Sequence, residues 1–578
     1  MFIGLTGYNH ESSAALVDID GNLIDFYKEE LLSRVKGDKS FPKRSLKRIL
    51  EMNNLDISKI IEITFYERPL SAYITILQTS GKNMPKSLPL ISHQCRNFNK
   101  SSVACYLDIA KTYPGLEKKL SYCDHHLSHT LTSLAYSPKQ NEICSVVVDG
   151  FGDRSTTSIS MVNNHHNIVE LWSCPYPFSI GLFYSAITDF LGFQVNEGEY
   201  KVMGLSSFGN ENSEIAKKVS QLIKWDDNKN KIIQDMSFFK YHVDPEVSFS
   251  QELVNYLGNP RNPFKQLLPD DDDFQHYADI AKGAQLAVVK ILRSIFSYAY
   301  QLTNCNDFLF SGGVAMNSAS LDELASLDFI KNIFIPPSPG DSGSAIGAAY
   351  YSYLKSNFDK DIFLSKPSLF PSKFNSNNQR KLASKIIESN YKIIAKDKKS
   401  ILKKSADLIS KGEIIGVIIG NSEIGPRALG NRSLICDGTN KNAVNFLNTK
   451  IKKRSPFRPT APVMQESVAR KYFVVRDELI ECYKTMSATA QCKKESESLN
   501  FPTTHIDKTA RIQIIEKDHL LYNLLDELKN YNIEILANSS LNLSGDPTSF
   551  DLIDTFMISS RSPLKYIIAD FALLESIK

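Results

Sequence analysis

What the sequence lacks narrows its function first. Its nine cysteines stand singly, with no C-x-x-C pair. Neither a thiolate metal site nor a disulfide framework is therefore expected, and an odd, unpatterned count suits a reducing compartment. Net charge is almost absent: 67 Lys and Arg stand against 64 Asp and Glu, which leaves +3 at pH 7. An extended nucleic-acid-binding face would leave a larger excess, although one local anion pocket would not. No apolar run comes near the ~20 residues that span a bilayer. The opening MFIGLTGYNHESSAALVDIDG has neither the basic start nor the apolar core of a secretory signal. The expected location is cytoplasmic, with no membrane or nucleic acid as partner.

What is present is a long, core-forming chain. Its 578 residues are 42% apolar and 23% charged, enough for two large domains or more. Residues 2–7, 13–19 and 23–27 read as three strands, the last two joined by an Asp20-Gly21-Asn22 turn. The same grammar returns at 143–149, 156–162 and 168–172, with turns at Gly150 to Asp153 and Asn163-Asn164. Two such units predict a duplicated α/β architecture with ligand in the cleft between its halves. Ile280, Ala284, Ala287, Val288, Ile291, Leu292 and Ile295 predict a long helix over 279–298. Short strands at 308–310 and 333–335 precede Ser311-Gly312-Gly313 and Pro339-Gly340-Asp341, and a small-residue helix follows at 344–351. Residues 355–390 turn to Ser, Lys, Asn and Pro, which places a domain boundary there: domains of 1–360 and 361–578. Strands are expected at 414–419 and 533–537, and the polar stretch 476–502 reads as a surface insertion.

Several groups could carry chemistry. In Asp124-His125-His126-Leu127-Ser128-His129, a helix starting after Asp124 would put His125 and His129 one turn apart on one face. Two imidazoles so placed grip a metal if a carboxylate joins them. Such pairs also occur as satisfied polar groups, and spacing alone leaves both readings open. His165-His166 falls in a turn and reads as solvated. Asp149 and Asp341 each end a strand before small residues, where α/β clefts form, yet turn aspartates are common there. Gly312-Gly313 and Gly340 to Gly343 would let backbone approach a phosphate closely. The acidic run Asp270 to Asp273 reads as a solvated helix cap. The sharpest local signal is arginine held in Gly- and Pro-bearing loops: Arg427 and Arg432 in GPRALGNRS, then Lys450, Lys452, Lys453, Arg454 and Arg458 in KIKKRSPFRP, then Arg511. Guanidinium forks bind phosphate and carboxylate bidentately, and a rigid loop favours a small-anion pocket over a solvated basic face.

Together these segments resemble the O-carbamoyltransferase family typified by nodulation-factor and antibiotic carbamoyltransferases. The resemblance runs in order along nearly the whole chain: GYNHESSAAL, EELLSRVKGDKSFP, DHHLSH, VVDGFGD, PYPFSIGLFYSAITDFLGF, NEGEYKVMGLSSFG, SGGVAMNS, PPSPGDSGSAIGAA, GPRALGNRSLICD, KIKKRSPFRPTAPV, HIDKTARIQ and NSSLNLSGDP. It implies an α/β fold: an actin, sugar-kinase and heat-shock-ATPase (ASKHA) type carbamoyl-transfer domain over 1–360, then a YrdC-like α/β domain over 361–578 that makes carbamoyl-adenylate. The implied reaction activates carbamoyl phosphate with ATP as carbamoyl-AMP, then transfers the carbamoyl group to a substrate hydroxyl.

The resemblance also implies roles for residues. His125, His129, Asp149 and Asp341 become metal ligands, a set suited to Fe(II), or to Mn(II) or Zn(II), more than to Mg(II). His10 becomes the base that takes the hydroxyl proton. Lys201, Gly312, Gly313 and Asn317 line the adenylate. Arg427, Arg432, Lys452, Arg454, Arg458, Arg511, Asn538 and Asn542 hold carbamoyl phosphate and MgATP. Lys36 and Asp279 are further candidates on the substrate side. Partners would be ATP, carbamoyl phosphate and a small hydroxylated acceptor, and a homodimer is compatible with this reading. Two other readings compete: carbamoylation of tRNA, which the balanced charge disfavours, and a catalytically silent nucleotide-binding regulator.

Overall fold

The repeated strand grammar becomes two five-stranded sheets of one topology. The computed structural model describes residues 1–578 except 102, 140, 164–166, 358–363, 365, 373–376, 455–459, 571 and 578; the side chains of 99–101 and 377–381 are also outside the description. The first sheet comprises β1 (Phe2–Thr6), β2 (Ser13–Val17), β3 (Leu23–Lys28), β4 (Glu62–Phe65) and β5 (Leu120–Tyr122), in the order β3-β2-β1-β4-β5. The second begins with β6 (Ile143–Gly152), β7 (Ser155–Val162) and β8 (Ile168–Pro175). After a separate ribbon of β9 (Ile223–Asp226) and β10 (Lys231–Gln234), it ends with β11 (Asp307–Ser311) and β12 (Asn332–Phe334). Its order, β8-β7-β6-β11-β12, repeats the first. In both, the leading strand pairs antiparallel with the next and parallel with the later one: Ile3 faces Leu16 and Ile63, and Val146 faces Ile159 and Phe310. This is the duplicated α/β architecture expected of the ASKHA group. The leading strands are covered on both faces, which is why they read as unbroken apolar runs rather than alternating ones.

Four helices of this unit matter for the site: α1 (His125–Tyr136), α2 (Ile180–Phe190), α3 (Phe274–Thr303) and α4 (Asp341–Ser356). The apolar stripe seen in the sequence does form α3, longer than expected at both ends. Asp273 sits at its N-cap without a side-chain cap bond, so the acidic run can act there only through charge. Helix α4 is built of small residues because it packs tightly on β1 and α1. At Gly347 a Cβ would lie 1.8 Å from the Ser128 carbonyl oxygen. The same contact is stitched by Thr132, whose hydroxyl donates to Gly343 O and accepts from Gly347 N.

The chain divides into two compact units, 1–29 with 37–368, and 30–36 with 369–578. The second unit is built on β13 (Tyr391–Ala395), β14 (Ile415–Ile418), β15 (Arg432–Asp437), β16 (Ala461–Met464), β17 (Ala490–Gln491), β18 (Thr509–Ala510), β19 (Gln513–Ile514), β20 (Leu536–Ser540), β21 (Tyr566–Ala569) and β22 (Ala572–Ser576). Eight of these form one mixed sheet, β13-β22-β21-β14-β15-β20-β16-β19, and β17 pairs with β18 apart from it. Ile418, Leu434 and Ile567 face one apolar layer, and Val417, Ile435 and Ile568 the other, so this sheet too has helices on both sides.

Three sequence expectations change here. The stretch 476–502 is not a bare surface insertion: it folds into short helical turns, Ile480–Lys484 and β17, and buries Leu479, Cys482, Tyr483, Met486 and Ala490. Its apolar residues follow no single period because each element is only a few residues long. The stretch 355–390 contains a helix, Asn377–Asn390. The strand expected at 533–537 instead spans Leu536–Ser540, which brings polar Asn538 and Ser539 into the ladder with β15. Among the described residues, no helix is long and apolar enough to cross a membrane.

The α1–α4 contact gives a direct test. Gly347→Ala forces backbone apart at this crowded contact. It is expected to cost about 3 kcal/mol, seen as a lowered Tm, whereas Gly81→Ala, with open space around its Cβ position, should leave Tm within about a degree.

Candidate functional site

The first unit gathers its chemistry where β6, α1 and α4 meet. Asp124 caps α1, its carboxylate accepting from Leu127 N at 3.3 Å. The helix therefore begins at His125, and His129 follows one turn later on the same face. Asp149 lies in β6, and Asp341 is the first residue of α4. One ligand atom from each of these four residues lies within 4.8 Å of all the others. The Nε2 atoms of His125 and His129 are 3.2 Å apart, and each is 3.1 Å from Asp149 Oδ2. Asp341 Oδ1 stands 3.6 Å from His125 Nε2 and 3.4 Å from His129 Nε2.

Atoms that are all acceptors converge only around a proton or a cation. Burial alone favours a neutral His125, but its hydrogen bond to Asp149 and the nearness of Glu67 and Asp341 outweigh that and lift its proton affinity well above the usual histidine range. His129 is raised for like reasons, against the same burial. Burial would raise Asp149, yet the two imidazoles hold it well below the carboxylate range. Buried His126, beside these cationic rings, is pushed well below the histidine range and stands 2.8 Å from Ser158 Oγ instead. Two imidazoles and two carboxylates at this spacing fit a divalent transition metal, and the N₂O₂ donor set suits Fe(II), Mn(II) or Zn(II).

A supporting layer was not legible in the sequence. Ser344 Oγ is 3.2 Å from His129 Nδ1. Tyr66 donates to Asp341 at 3.4 Å. Asp153 accepts from His125 N at 2.8 Å and from Arg68 N at 2.7 Å, and burial pushes its carboxyl up to about 7. Glu67 lies 3.8 Å from His125 Nδ1. The available signal was polar Tyr66-Glu67-Arg68 directly after an apolar strand, the carboxyl edge where α/β sites form.

The remaining candidates of this unit are placed as follows. His10 is exposed on the loop after β1. Gly312 has φ +88°, and a Cβ there would lie 2.2 Å from Val148 O; Gly313 N donates to Asp149 Oδ1 at 3.2 Å. The Gly312-Gly313 backbone thus lies against the four-residue cluster. Asn317 exchanges hydrogen bonds with Gln285. Lys201 has its ammonium 5.4 Å from the Phe193 ring centroid. Asp279 accepts from Asn210 N and Gln275 Nε2, both at 2.7 Å, and so holds a loop. Lys36 is exposed and belongs to the second unit. His165 and His166 lie outside the described residues.

In the second unit the basic residues separate into two kinds. Arg432 is fully buried, and its guanidinium donates to the carbonyls of Phe550, Ile419, Asn431 and Gly420. It binds the protein's own backbone, which corrects the expectation that it holds an anion. Lys452 likewise donates to Ser540 O, Asn542 O and the Asn542 side chain, which itself donates to Asp546 O. Both Lys452 and Asn542 shape the loop after β20. The loop of Arg427 is held by Glu423, missed in the sequence, whose buried carboxylate accepts from the N–H groups of Leu429, Asn431 and Arg432. Arg427 is half-buried, and desolvation pushes its guanidinium down to about 10. Arg454 donates to Asn448 and to Ser539 Oγ. The Arg427 and Arg511 segments meet at Asn538, whose amide donates to Ala428 O and to Gln513 Oε1. Arg458 lies outside the described residues.

Comparison with known proteins follows this geometry. The family model for the carbamoyltransferase N-terminus matches residues 1–350, and that for the carbamoyltransferase C-terminus matches residues 406–575. An uncharacterized protein of Synechocystis sp. is 28% identical over 98% of this chain and 95% of its own length. Nodulation protein NolNO of Sinorhizobium fredii is 26% identical over 96% of this chain and 78% of its own length. The 3'-hydroxymethylcephem-O-carbamoyltransferase of Streptomyces clavuligerus is 23% identical over 75% of this chain and 76% of its own length.

The structural reading of Arg432 can be checked by calorimetry. Arg432→Met leaves buried carbonyls without donors and is expected to cost about 3 kcal/mol or more. A variant with wild-type Tm would show that the guanidinium is not needed by the fold.

Proposed function

The chain belongs to the carbamoyltransferase family, and from that premise we propose that it is an ATP-dependent O-carbamoyltransferase. Carbamoyl phosphate, ATP and water give carbamoyl-AMP, phosphate and pyrophosphate in the C-terminal domain, 361–578. The carbamoyl group then passes to a hydroxyl of a small molecule in the N-terminal domain, 1–360. The observation that carries this reading is the convergence of buried His125 and His129 with half-buried Asp149 and Asp341 within 4.8 Å, in a chain whose other half carries arginines in Gly- and Pro-bearing loops. Relatives named for nodulation and for a 3'-hydroxymethylcephem support a hydroxylated secondary metabolite or sugar as acceptor.

In the C-terminal domain, Arg427, Arg454, Arg458 and Arg511 clamp the anionic groups of carbamoyl phosphate and MgATP. Their positive charge offsets charge that builds up on the phosphates. Asn538 presents a buried side-chain oxygen that has no hydrogen-bond partner among the described residues, suited to a carbamoyl NH₂. Glu423, Arg432 and Lys452 keep these loops in place. In the N-terminal domain, Gly312 and Gly313 admit the adenylate against backbone, with Lys201 and Asn317 alongside. His125, His129, Asp149 and Asp341 would hold an Fe(II), Mn(II) or Zn(II) ion, which would supply Lewis acidity for the transfer. His10 takes the proton of the acceptor hydroxyl as its oxygen bonds to the carbamoyl carbon, and AMP leaves with the electron pair.

The two half-reactions separate by mutation. His129→Ala is expected to abolish carbamoyl transfer, by about 10³-fold or more, while pyrophosphate release that depends on carbamoyl phosphate persists. Loss of that release with transfer intact from supplied carbamoyl-AMP would reverse the assignment of domains. Metal loading also has a proton signature. The metal-free imidazoles of His125 and His129 hold protons more tightly than an ordinary histidine, and a ligand must be deprotonated. Mn(II) binding at neutral pH is therefore expected to release protons and to tighten as pH rises, measured by isothermal titration in buffers of different ionisation enthalpy. Binding without proton release would contradict the ligand set.

A further inference from the structure

The residues around Glu67 have a role that the two half-reactions leave unassigned. Glu67 lies two residues beyond the end of β4 and is 6% exposed. Both of its carboxylate oxygens accept from Asn9 Nδ2, at 2.9 and 3.1 Å. Its Oε2 stands 3.8 Å from Nδ1 of His125, a buried nitrogen without a hydrogen-bond partner among the described residues. The opposite nitrogen of that ring, Nε2, is the one turned to Asp149 and His129. Glu67 is therefore on the far side of the ring from the ligand cluster and can act on it only through His125.

Its other neighbour, Asn9, belongs to a strained loop. Tyr8 has φ +73°, a left-handed conformation rare for a bulky residue. Two further ties hold it there: its hydroxyl donates to Asp108 at 2.8 Å, and its N–H donates to Lys39 O at 2.7 Å. His10 is the next residue after Asn9, and it is exposed. One buried carboxylate thus stands between the first ligand of the cluster and the loop that presents His10. Its chain neighbours reach the same centre, Tyr66 through Asp341, and Arg68 through Asp153 to the start of α1.

We propose that Glu67 is a positioning residue that orients His125 with Nε2 toward the metal and, through Asn9, ties metal occupancy to the loop carrying His10. This rests on the reading of His125, His129, Asp149 and Asp341 as metal ligands. A carboxylate behind a ligating imidazole fixes its tautomer and raises its basicity, and loss of such a partner typically weakens metal binding about 10–100-fold. Asn9 keeps the carboxylate at that post.

The test is Mn(II) binding to metal-free full-length protein by isothermal titration, with thermal unfolding as the check on folding. Glu67→Gln keeps size and an acceptor for Asn9 but removes the charge; a 10–100-fold loss of Mn(II) affinity at unchanged Tm is expected. Asn9→Ala removes the donor to Glu67 at a residue that is not a ligand, with the same unfolding check; it is expected to weaken Mn(II) several-fold and to be non-additive with Glu67→Gln. In both variants, pyrophosphate release that depends on carbamoyl phosphate should match wild type. Wild-type Mn(II) affinity in both variants would overturn the role of Glu67 while leaving the ligand set intact. Failure of the wild-type protein itself to bind Mn(II), Fe(II) or Zn(II) would overturn the ligand set and this role with it.

Discussion

Holding two imidazoles and two carboxylates with their ligand atoms within 4.8 Å is the constraint around which the first unit is organised. Such a cluster resists burial: each carboxylate loses solvation, and the imidazoles gain protons that repel one another. It persists only where rigid elements meet from several directions. The end of β6 supplies Asp149, the first turn of α1 supplies both histidines, and the first residue of α4 supplies Asp341. The small residues of α4, and the missing side chain at Gly347 above all, let α1 and α4 approach closely enough for those termini to meet. Backbone economy in the helices and chemistry at their ends are one problem with one solution.

The second unit meets a different demand. It holds cations in loops near the end of a sheet, where a bare basic cluster would push the loops apart. Part of its basic content is spent internally: Arg432 and Lys452 bind carbonyls of the chain itself. Glu423 collects three backbone N–H groups of the loop that carries Arg427. Glu423 thereby braces the loop that carries Arg427, one of the arginines we propose to clamp the anionic substrates. Preorganisation of this kind removes reorganisation cost from the reacting state.

The four-residue cluster was legible through the family resemblance, which implied it, while the residues alone offered a histidine pair and two strand-end aspartates with blander readings beside them. A capping aspartate followed by histidines at i and i+4 can place both rings on one helix face, and an aspartate at a strand end lies at the sheet's carboxyl edge. Glu67 and Asp153 escaped notice because no spacing rule links them to His125; they reach it across the sheet. Arg432 misled for the opposite reason. Its loop looks like an anion grip, but whether a guanidinium finds phosphate or backbone depends on which carbonyls lie around it. The stretch 476–502 was misjudged because elements of a few residues leave no period to detect, although they bury Leu479, Cys482 and Tyr483.

The sequence by itself determined the repeated strand units, the long apolar helix, the family resemblance and the residue types of both candidate sites, because local periodicity and capping act within a few residues of chain. Only the tertiary structure decided which polar groups meet one another and which are bound into the fold. Asp279 became a loop clamp, Lys452 a brace, and Glu67 the partner of a histidine 58 positions downstream by way of the β4 edge. Those assignments follow from distance in space, and burial makes them binding: a desolvated polar group must take whatever partner the packing brings within reach.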